Sequence, residues 1–432
     1  MSLELTNRQR KVMPAWQALY YEEPIELVSG EGRYVVDREG RRYLDFFGGI
    51  LTTSVGHAIP EVVEAIREQA AKLLHASTLY LAEPMVRLAE RIASLSTIPD
   101  ARVFFTTSGT EANDAALLMA TSYRQSNQVL AFRHSYHGRS FTTMAITGNR
   151  SWSASSLSGL AVSYVQSGYR LRSPFAKLSD ADYVAACVQD LRDVIDTTTS
   201  GDVACMIAEP IQGVGGFATP PDGFFGAMKE VLDEFGILFL ADEVQTGWGR
   251  TGEHFWGFQA HGMVPDIITF AKGIANGLPL GGVIARADVM NAIHANSIST
   301  FGGNPIAVAA ADATLSYILD HDLQANALAR GDYLRGRLEP AVARCPWIAE
   351  LRGKGLMLAI ETVVPGSIRP DAGAATALLE ATKRRGLLIG KGGLYGNVLR
   401  IAPPLSVTQH EVEEAADLLL AAIDEVETAT CA

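Results

Sequence analysis

The stretch Ile267-Ile268-Thr269-Phe270-Ala271-Lys272-Gly273 reads as a buried strand that ends on a charge. The chain has eight lysines, and no other closes a β-branched run in this way. A lysine at the end of a buried strand has a desolvation problem unless its amine is neutral or covalently engaged. One solution is a lysine whose ammonium reaches water along its apolar stem. The other is a Schiff base to an aldehyde cofactor. An earlier run favours the second. Ile237-Leu238-Phe239-Leu240-Ala241-Asp242 also ends on a charge. Two apolar strands, one closed by a carboxylate and one by an amine, predict a site between them.

Outward from these two runs, short β-branched segments alternate with amphipathic ones. Predicted strands are Arg102–Thr107, Gln128–Phe132, Ala161–Val165, Val203–Ala208, Ile237–Ala241, Asp266–Ala271 and Leu280–Ala285. Helical patterns at Glu111–Arg124, Tyr183–Ile195 and Gly223–Phe235 lie between them. This is the pattern of an α/β fold, a mostly parallel sheet with helices on both faces. We assign residues 56–304 to this large domain. From Pro305 onward the chain is strongly helical, with Asn304–Leu319, Leu323–Ala343, Ala374–Arg385 and Gln409–Val426 as helices. Short strands Ile348–Arg352, Met357–Glu361, Leu387–Gly390 and Val398–Ile401 make residues 305–432 a smaller α+β domain. Residues 1–55, with strand-like Arg33–Asp37 and Arg42–Phe46, are expected to pack against it. A length of 432 residues supports at least two domains. Residues 148–182, rich in Ser, Gly and Tyr, are expected to form a long loop at or near the site.

A net charge of −12 argues against nucleic acid or an anionic membrane as partner. Cys187, Cys205, Cys345 and Cys431 are scattered, so neither a disulfide framework nor a metal site is expected. No run approaches the roughly 18 apolar residues of a membrane span. Near the start no apolar run follows Arg8-Gln9-Arg10-Lys11. A reducing, cytoplasmic location is the expectation.

Four further motifs follow strands. Thr107-Ser108-Gly109-Thr110-Glu111-Ala112-Asn113 opens a helix. Its small residues expose backbone N–H groups at the positive helix end, and Ser108 and Thr110 add hydroxyls, which suits a phosphate. The plainer reading is an ordinary N-cap. His134-Ser135-Tyr136-His137-Gly138 places an aromatic where it can lie on a planar heterocycle, with His137 beside it. Asp242 would keep a pyridine nitrogen protonated, because at ~4 Å and an effective dielectric of ~20 the attraction is about 4 kcal/mol. That corresponds to roughly three pKa units. Glu209, in Glu209-Pro210-Ile211-Gln212, can touch substrate or hold an arginine. Arg400, in the apolar run Leu399-Arg400-Ile401, can grip a carboxylate through two parallel hydrogen bonds, or sit in a buried ion pair, with Glu209 masking it in some states. Two decoys are rejected. Gly247-Trp248-Gly249-Arg250-Thr251-Gly252 fits GxGxxG but does not open a helix directly after a strand. Gly390-Lys391-Gly392 lacks the Ser or Thr of a phosphate loop.

Taken in order, SGTEAN, HSYHG, AEPIQG, ADEVQTGWGRTG, the AKG around Lys272, STFGGNP and LRIAPPL resemble a class III (ω-amino-acid) aminotransferase. YLDFFGGI, VGHAIP, EPIQGVGG and HFWGFQ bring the resemblance nearest to alanine–glyoxylate aminotransferases of the mitochondrial type, which also handle β-aminoisobutyrate with pyruvate or glyoxylate. It runs from about Tyr34 to the C-terminus. It implies pyridoxal 5′-phosphate and the fold type I architecture. It further implies Lys272 as Schiff-base lysine, Asp242 at the pyridine nitrogen, Gln245 beside the ring hydroxyl and Tyr136 on the ring. Gly109 and Thr110 would be in the phosphate cup and Arg400 on the substrate carboxylate. Thr300 would reach the phosphate of a neighbouring subunit, which implies a homodimer or a dimer of dimers. Residues 148–182 and the Val363–Asp371 loop depart from that subgroup. The expected reaction is amino transfer from alanine or a β- or ω-amino acid to a small 2-oxo acid by ping-pong kinetics. A decarboxylase or racemase on the same cofactor is the alternative, and a non-catalytic pyridoxal-binding regulator a more distant one.

Overall fold

The computed structural model describes residues 2–17 and 19–431. All seven predicted strands form one sheet. Its order is Ala101–Thr106, Gly281–Arg286, Ile267–Phe270, Leu238–Asp242, Cys205–Ala208, Gln128–Phe132 and Ala161–Val165. Gly281–Arg286 runs antiparallel to both its neighbours, and the other six share one direction. The central strands Cys205–Ala208, Leu238–Asp242 and Ile267–Phe270 are buried at every residue, which is why they are unbroken apolar runs.

Strand geometry still sends alternate side chains to opposite faces. Val129, Ala131, Ile207 and Leu240 pack under Ala112, Ala116 and Leu117 of helix Gly109–Arg124. Leu130, Phe132, Met206 and Phe239 face the other core, with Tyr183 and Leu191 of helix Asp180–Thr198 and Phe224 and Met228 of helix Phe224–Glu234.

Two smaller sheets flank this one. Leu27–Glu31, Tyr34–Asp37 and Arg42–Asp45 form an antiparallel meander, and Leu387–Leu388 joins its edge in parallel. Ile348–Lys354, Met357–Thr362, Val398–Ile401 and Gly390–Gly392 form the second. The expected single strand Leu387–Gly390 is therefore divided between two sheets. The chain changes sheet where the Phe47 ring fills the space a side chain at position 390 would need, since a Cβ on Gly390 would lie 2.1 Å from Phe47 Cε2.

Several elements escaped the sequence reading. Helices Pro60–Lys72 and Glu83–Leu95 each carry proline in the first turn, where its missing N–H costs nothing. Strand Leu27–Glu31 is mostly exposed, so it has no apolar alternation to read. Among the described residues no helix is long and apolar enough to cross a membrane, and no cluster could hold a metal ion. Cys187, Cys205 and Cys345 are buried free thiols, and the side chain of Cys431 lies outside the described residues.

Candidate active site

The parallel strands end along one edge of the large sheet, where such folds bind ligands. Asp242 closes its strand, and Lys272, Glu209, Tyr136 and Ser108 follow theirs. Ser108, Gly109, Thr110, Tyr136, His137, Glu209, Asp242, Gln245 and Lys272 line one cavity of about 140 Å³. Asn113, Gly138 and Val244 complete its walls.

At one end, Ser108 caps helix Gly109–Arg124 by accepting a hydrogen bond from the Glu111 N–H at 3.2 Å. The ordinary cap is present and takes up the Glu111 N–H, while the N–H groups of Gly109 and Thr110 still lack intrahelical acceptors. Glycine at 109 keeps this turn close to the next strand loop, because a Cβ there would meet Val244 at 3.1 Å. Gly138 has φ +140° and brings its loop against the same turn, since a Cβ would lie 2.7 Å from Thr110 Oγ1.

Lys272 adopts φ +49°, a left-handed conformation that a lysine holds only when its surroundings enforce it. Its amine has no hydrogen-bond or ion-pair partner among the described residues and faces the cavity. Burial lowers its pKa below the ordinary amine value, with Asp242 and Glu209 opposing that shift. Glu209 accepts the Tyr136 N–H at 3.0 Å and the Gly213 N–H at 2.7 Å. Burial pushes its carboxyl up to about 7. The Gln245 side-chain oxygen is buried without a donor. The backbone at Gly213 lies flat against this amide, and a Cβ there would come within 2.1 Å of Gln245 Nε2. The Tyr136 ring meets the edge of Trp152 at 5.3 Å.

Arg400 lies outside the cavity lining but is electrostatically coupled to Lys272. It is buried, with its guanidinium over the Phe47 and Phe217 rings at 5.0 and 5.7 Å. Its Nη2 donates to the Tyr20 hydroxyl and the Lys391 carbonyl, both at 3.1 Å, and Nη1 donates to the Gly213 carbonyl at 3.4 Å. Nε has no acceptor, and no carboxylate pairs with this cation among the described residues. Glu209 and Arg400 thus grip the N–H and C=O of the same residue, Gly213, without forming an ion pair.

Thr300 is exposed and does not line the cavity of its own chain. Its neighbour Ser299 donates to Glu111 Oε1 at 2.6 Å, which ties this loop to the first turn of helix Gly109–Arg124. Within 148–182 the loop is interrupted by strand Ala161–Val165 and short 3-10 turns at Arg150–Trp152 and Arg170–Arg172. Besides the Trp152 contact, Tyr169 stands edge-on to His134 at 5.2 Å and donates to Glu361 at 2.6 Å, so this segment joins the site loop to the smaller sheet.

The family model for Aminotransferase class-III matches residues 18–423. The chain is a class III aminotransferase. It is 40% identical to the mitochondrial alanine–glyoxylate aminotransferase 2 homolog 2 of Arabidopsis thaliana, over 97% of this chain and 86% of that one. It is 35% identical to human mitochondrial alanine–glyoxylate aminotransferase 2, over 94% and 83%. Its backbone matches an (S)-enantioselective omega-transaminase from Thermomicrobium roseum with TM-score 0.90, 34% identity and coverage of 98% and 99%.

The aminotransferase uses pyridoxal 5′-phosphate, and the cavity fits that group. An unpartnered amine, an unpartnered buried amide oxygen and a buried carboxylate would suit an aldehyde, a ring hydroxyl and a pyridine nitrogen. The small-residue helix start would suit a phosphate.

The expectation of a cytoplasmic location is corrected, since the relatives from Arabidopsis thaliana and human are mitochondrial proteins. That expectation drew on the scattered cysteines and on the want of an apolar run after Arg8-Gln9-Arg10-Lys11, and neither feature separates one reducing compartment from another. Asn113, Gly138 and Val244 were missed as lining residues. Each sat inside a quoted or adjacent motif, but only packing shows which side of the turn faces the ligand.

Proposed function

We propose that the enzyme moves the amino group of alanine or of a β- or ω-amino acid to pyruvate or glyoxylate in two half-reactions. The observation that carries this is the pairing of an unpartnered amine at Lys272 with a buried cation at Arg400 that no carboxylate neutralises. The cofactor supplies an aldehyde that condenses with amines and a protonated ring that accepts electrons. The chain's own groups do the rest. Ser108, Gly109 and Thr110 would hold the phosphate, Tyr136 and His137 the ring, and Gln245 the ring hydroxyl. Asp242 would keep the ring nitrogen protonated. Arg400 would bind the substrate carboxylate through the N–H groups left without an acceptor, Nε among them. Lys272 Nζ, kept basic but more readily neutral by burial, takes the proton from the donor carbon and returns it.

We read the enzyme as at least a homodimer. Leu79, Tyr80 and Leu81 are 73%, 71% and 100% exposed, and Phe301, next to Thr300, is 59% exposed. His75 packs on Phe301 at 5.2 Å, so the segment leading to Leu79 lies against the loop of Thr300. The division into 1–55, 56–304 and 305–432 remains our reading of the domains, supported by the sheet that residues 27–45 share with Leu387–Leu388.

Steady-state assays of alanine with glyoxylate and pyruvate, then of β- and ω-amino donors, test the reading. Oxo-acid product should appear with at least one pair. Carbon dioxide release, or epimerisation needing no acceptor, would replace it with the decarboxylase or racemase alternative.

A further inference from the structure

The Asp242 carboxylate is not free to turn. Its Oδ2 accepts from His137 Nδ1 at 2.7 Å and from Asn113 Nδ2 at 2.8 Å. Its Oδ1 accepts the Val244 N–H at 3.2 Å. Asn113 holds more than this one atom. The same Nδ2 donates to the His137 carbonyl at 2.8 Å, and Asn113 Oδ1 accepts the Thr269 hydroxyl at 2.6 Å. Thr269 is the cross-strand neighbour of Asp242 in the central sheet. Asn113, Thr269, His137 and Asp242 are 1%, 0%, 2% and 4% exposed, so water does not compete for these contacts.

The chemistry fixes each orientation. The amide end of Asn113 that faces Asp242 Oδ2 and the His137 carbonyl meets two acceptors, so it must be the NH2 group. The amide oxygen then faces Thr269, whose hydroxyl is the only donor for it. The Asn113 donor carries no charge. A lysine or arginine in its place would spend the negative charge that a protonated ring nitrogen needs. A neutral donor orients the carboxylate and leaves that charge in place.

We propose that Asn113, locked by Thr269, is a positioning residue that holds Asp242 Oδ2 to the protein and aims Oδ1, which also accepts the Val244 N–H, at the cofactor's ring nitrogen. This rests on the placement of that nitrogen at Asp242. The pair acts as one unit, because the Thr269 hydroxyl donates to Asn113 and not to Asp242.

The test uses the full-length protein, stripped of cofactor and titrated with either of two probes. One is pyridoxal 5′-phosphate. The other is its analogue with carbon in place of the ring nitrogen. Asn113→Ala should weaken binding of the natural cofactor by roughly 10–100-fold, the scale on which outer-shell partners tune a ligating group. Binding of the carbon analogue should stay within about twofold. Thr269→Val, nearly the same shape as threonine, should lose part of the same discrimination, and Thr269→Ser should restore it. The double variant should be no worse than Asn113→Ala alone, as expected for residues in one chain of contacts. Equal losses for both probes, no loss for either, or multiplying effects in the double variant would overturn the proposal. Asp242→Asn is the control. If it too fails to discriminate the probes, what falls is the placement of the ring nitrogen, not the role of Asn113.

Discussion

The two ends of this site are built differently. The Lys272–Asp242 end comes from adjacent strands of one sheet, buried on both sides and held in register by backbone hydrogen bonds. The Arg400 end is assembled from Tyr20 before the first strand, Phe47 after the third, Gly213 and Phe217 in a loop of the large sheet, and Lys391 in a late hairpin. The first end needs one sheet to form. The second needs four distant pieces of chain to meet. Chemistry common to every substrate therefore sits on the rigid end, and the part that meets the variable substrate sits where sequence can change piece by piece.

The largest effect that would break this contrast comes from Lys272→Ala. It should abolish turnover and the long-wavelength absorbance of the bound cofactor with every donor. Residual turnover that depends on the donor would place substrate selection at the rigid end.

Arg400→Ala should be selective instead. Removing a charge-assisted contact of about 1.5–3 kcal/mol should lower kcat/KM for carboxylate-bearing donors by roughly 10–100-fold. An amine without a carboxylate should be almost unaffected, and equal losses for both would make Arg400 a structural residue.

A third measurement reads the rigid end through stability. Glu243 is fully buried and accepts from Thr246 at 2.6 Å and from the N–H groups of Gly257 and Phe258 at 3.0 and 2.8 Å, with no cation. Burial raises its carboxyl from 4.5 to about 7. The folded protein thus keeps a proton that the unfolded chain releases above pH 4.5. The stability this proton contributes to the cofactor-free protein should be fully present below pH 4.5 and be lost, by a few kcal/mol at most, as pH rises toward 7. Glu243→Gln should flatten the slope in denaturant unfolding, while Glu209, shifted the same way, keeps its own share. An unchanged slope would mean that Glu243 is ionised in the fold.

The smallest effect belongs to Tyr20→Phe, which frees one N–H of Arg400 and removes about 1 kcal/mol of positioning. A several-fold change in KM for carboxylate donors with kcat unchanged is the expected result. A change confined to kcat would place Tyr20 nearer the reacting atoms.

The glycines of Gly247-Trp248-Gly249-Arg250-Thr251-Gly252 show how sequence patterns mislead. Gly252, at φ +78°, lets the chain pass the backbone of Leu328, where a Cβ would come within 2.6 Å. Gly249 does the same beside Gln324. Arg250 is buried and donates to the carbonyls of Leu356 and Pro403. The spacing that imitates a dinucleotide loop is a packing seam against helix Leu323–Arg344.

Local sequence determined the seven strands, the helices between them and the residues that close each strand. A fully buried strand must be apolar, so a charge at its end stands out. That made Lys272 and Asp242 legible, along with the loops bearing Ser108, Tyr136 and Glu209. Tertiary structure alone decided that Leu387–Leu388 joins the N-terminal meander instead of running on to Gly390 as one strand. It also decided that Glu209 binds backbone amides while Arg400 goes without a carboxylate, and that Asn113 reaches Asp242 through an amide oriented by Thr269. These outcomes depend on which acceptors and rings lie within about 3–5 Å across long sequence separations. Periodicity carries no such information.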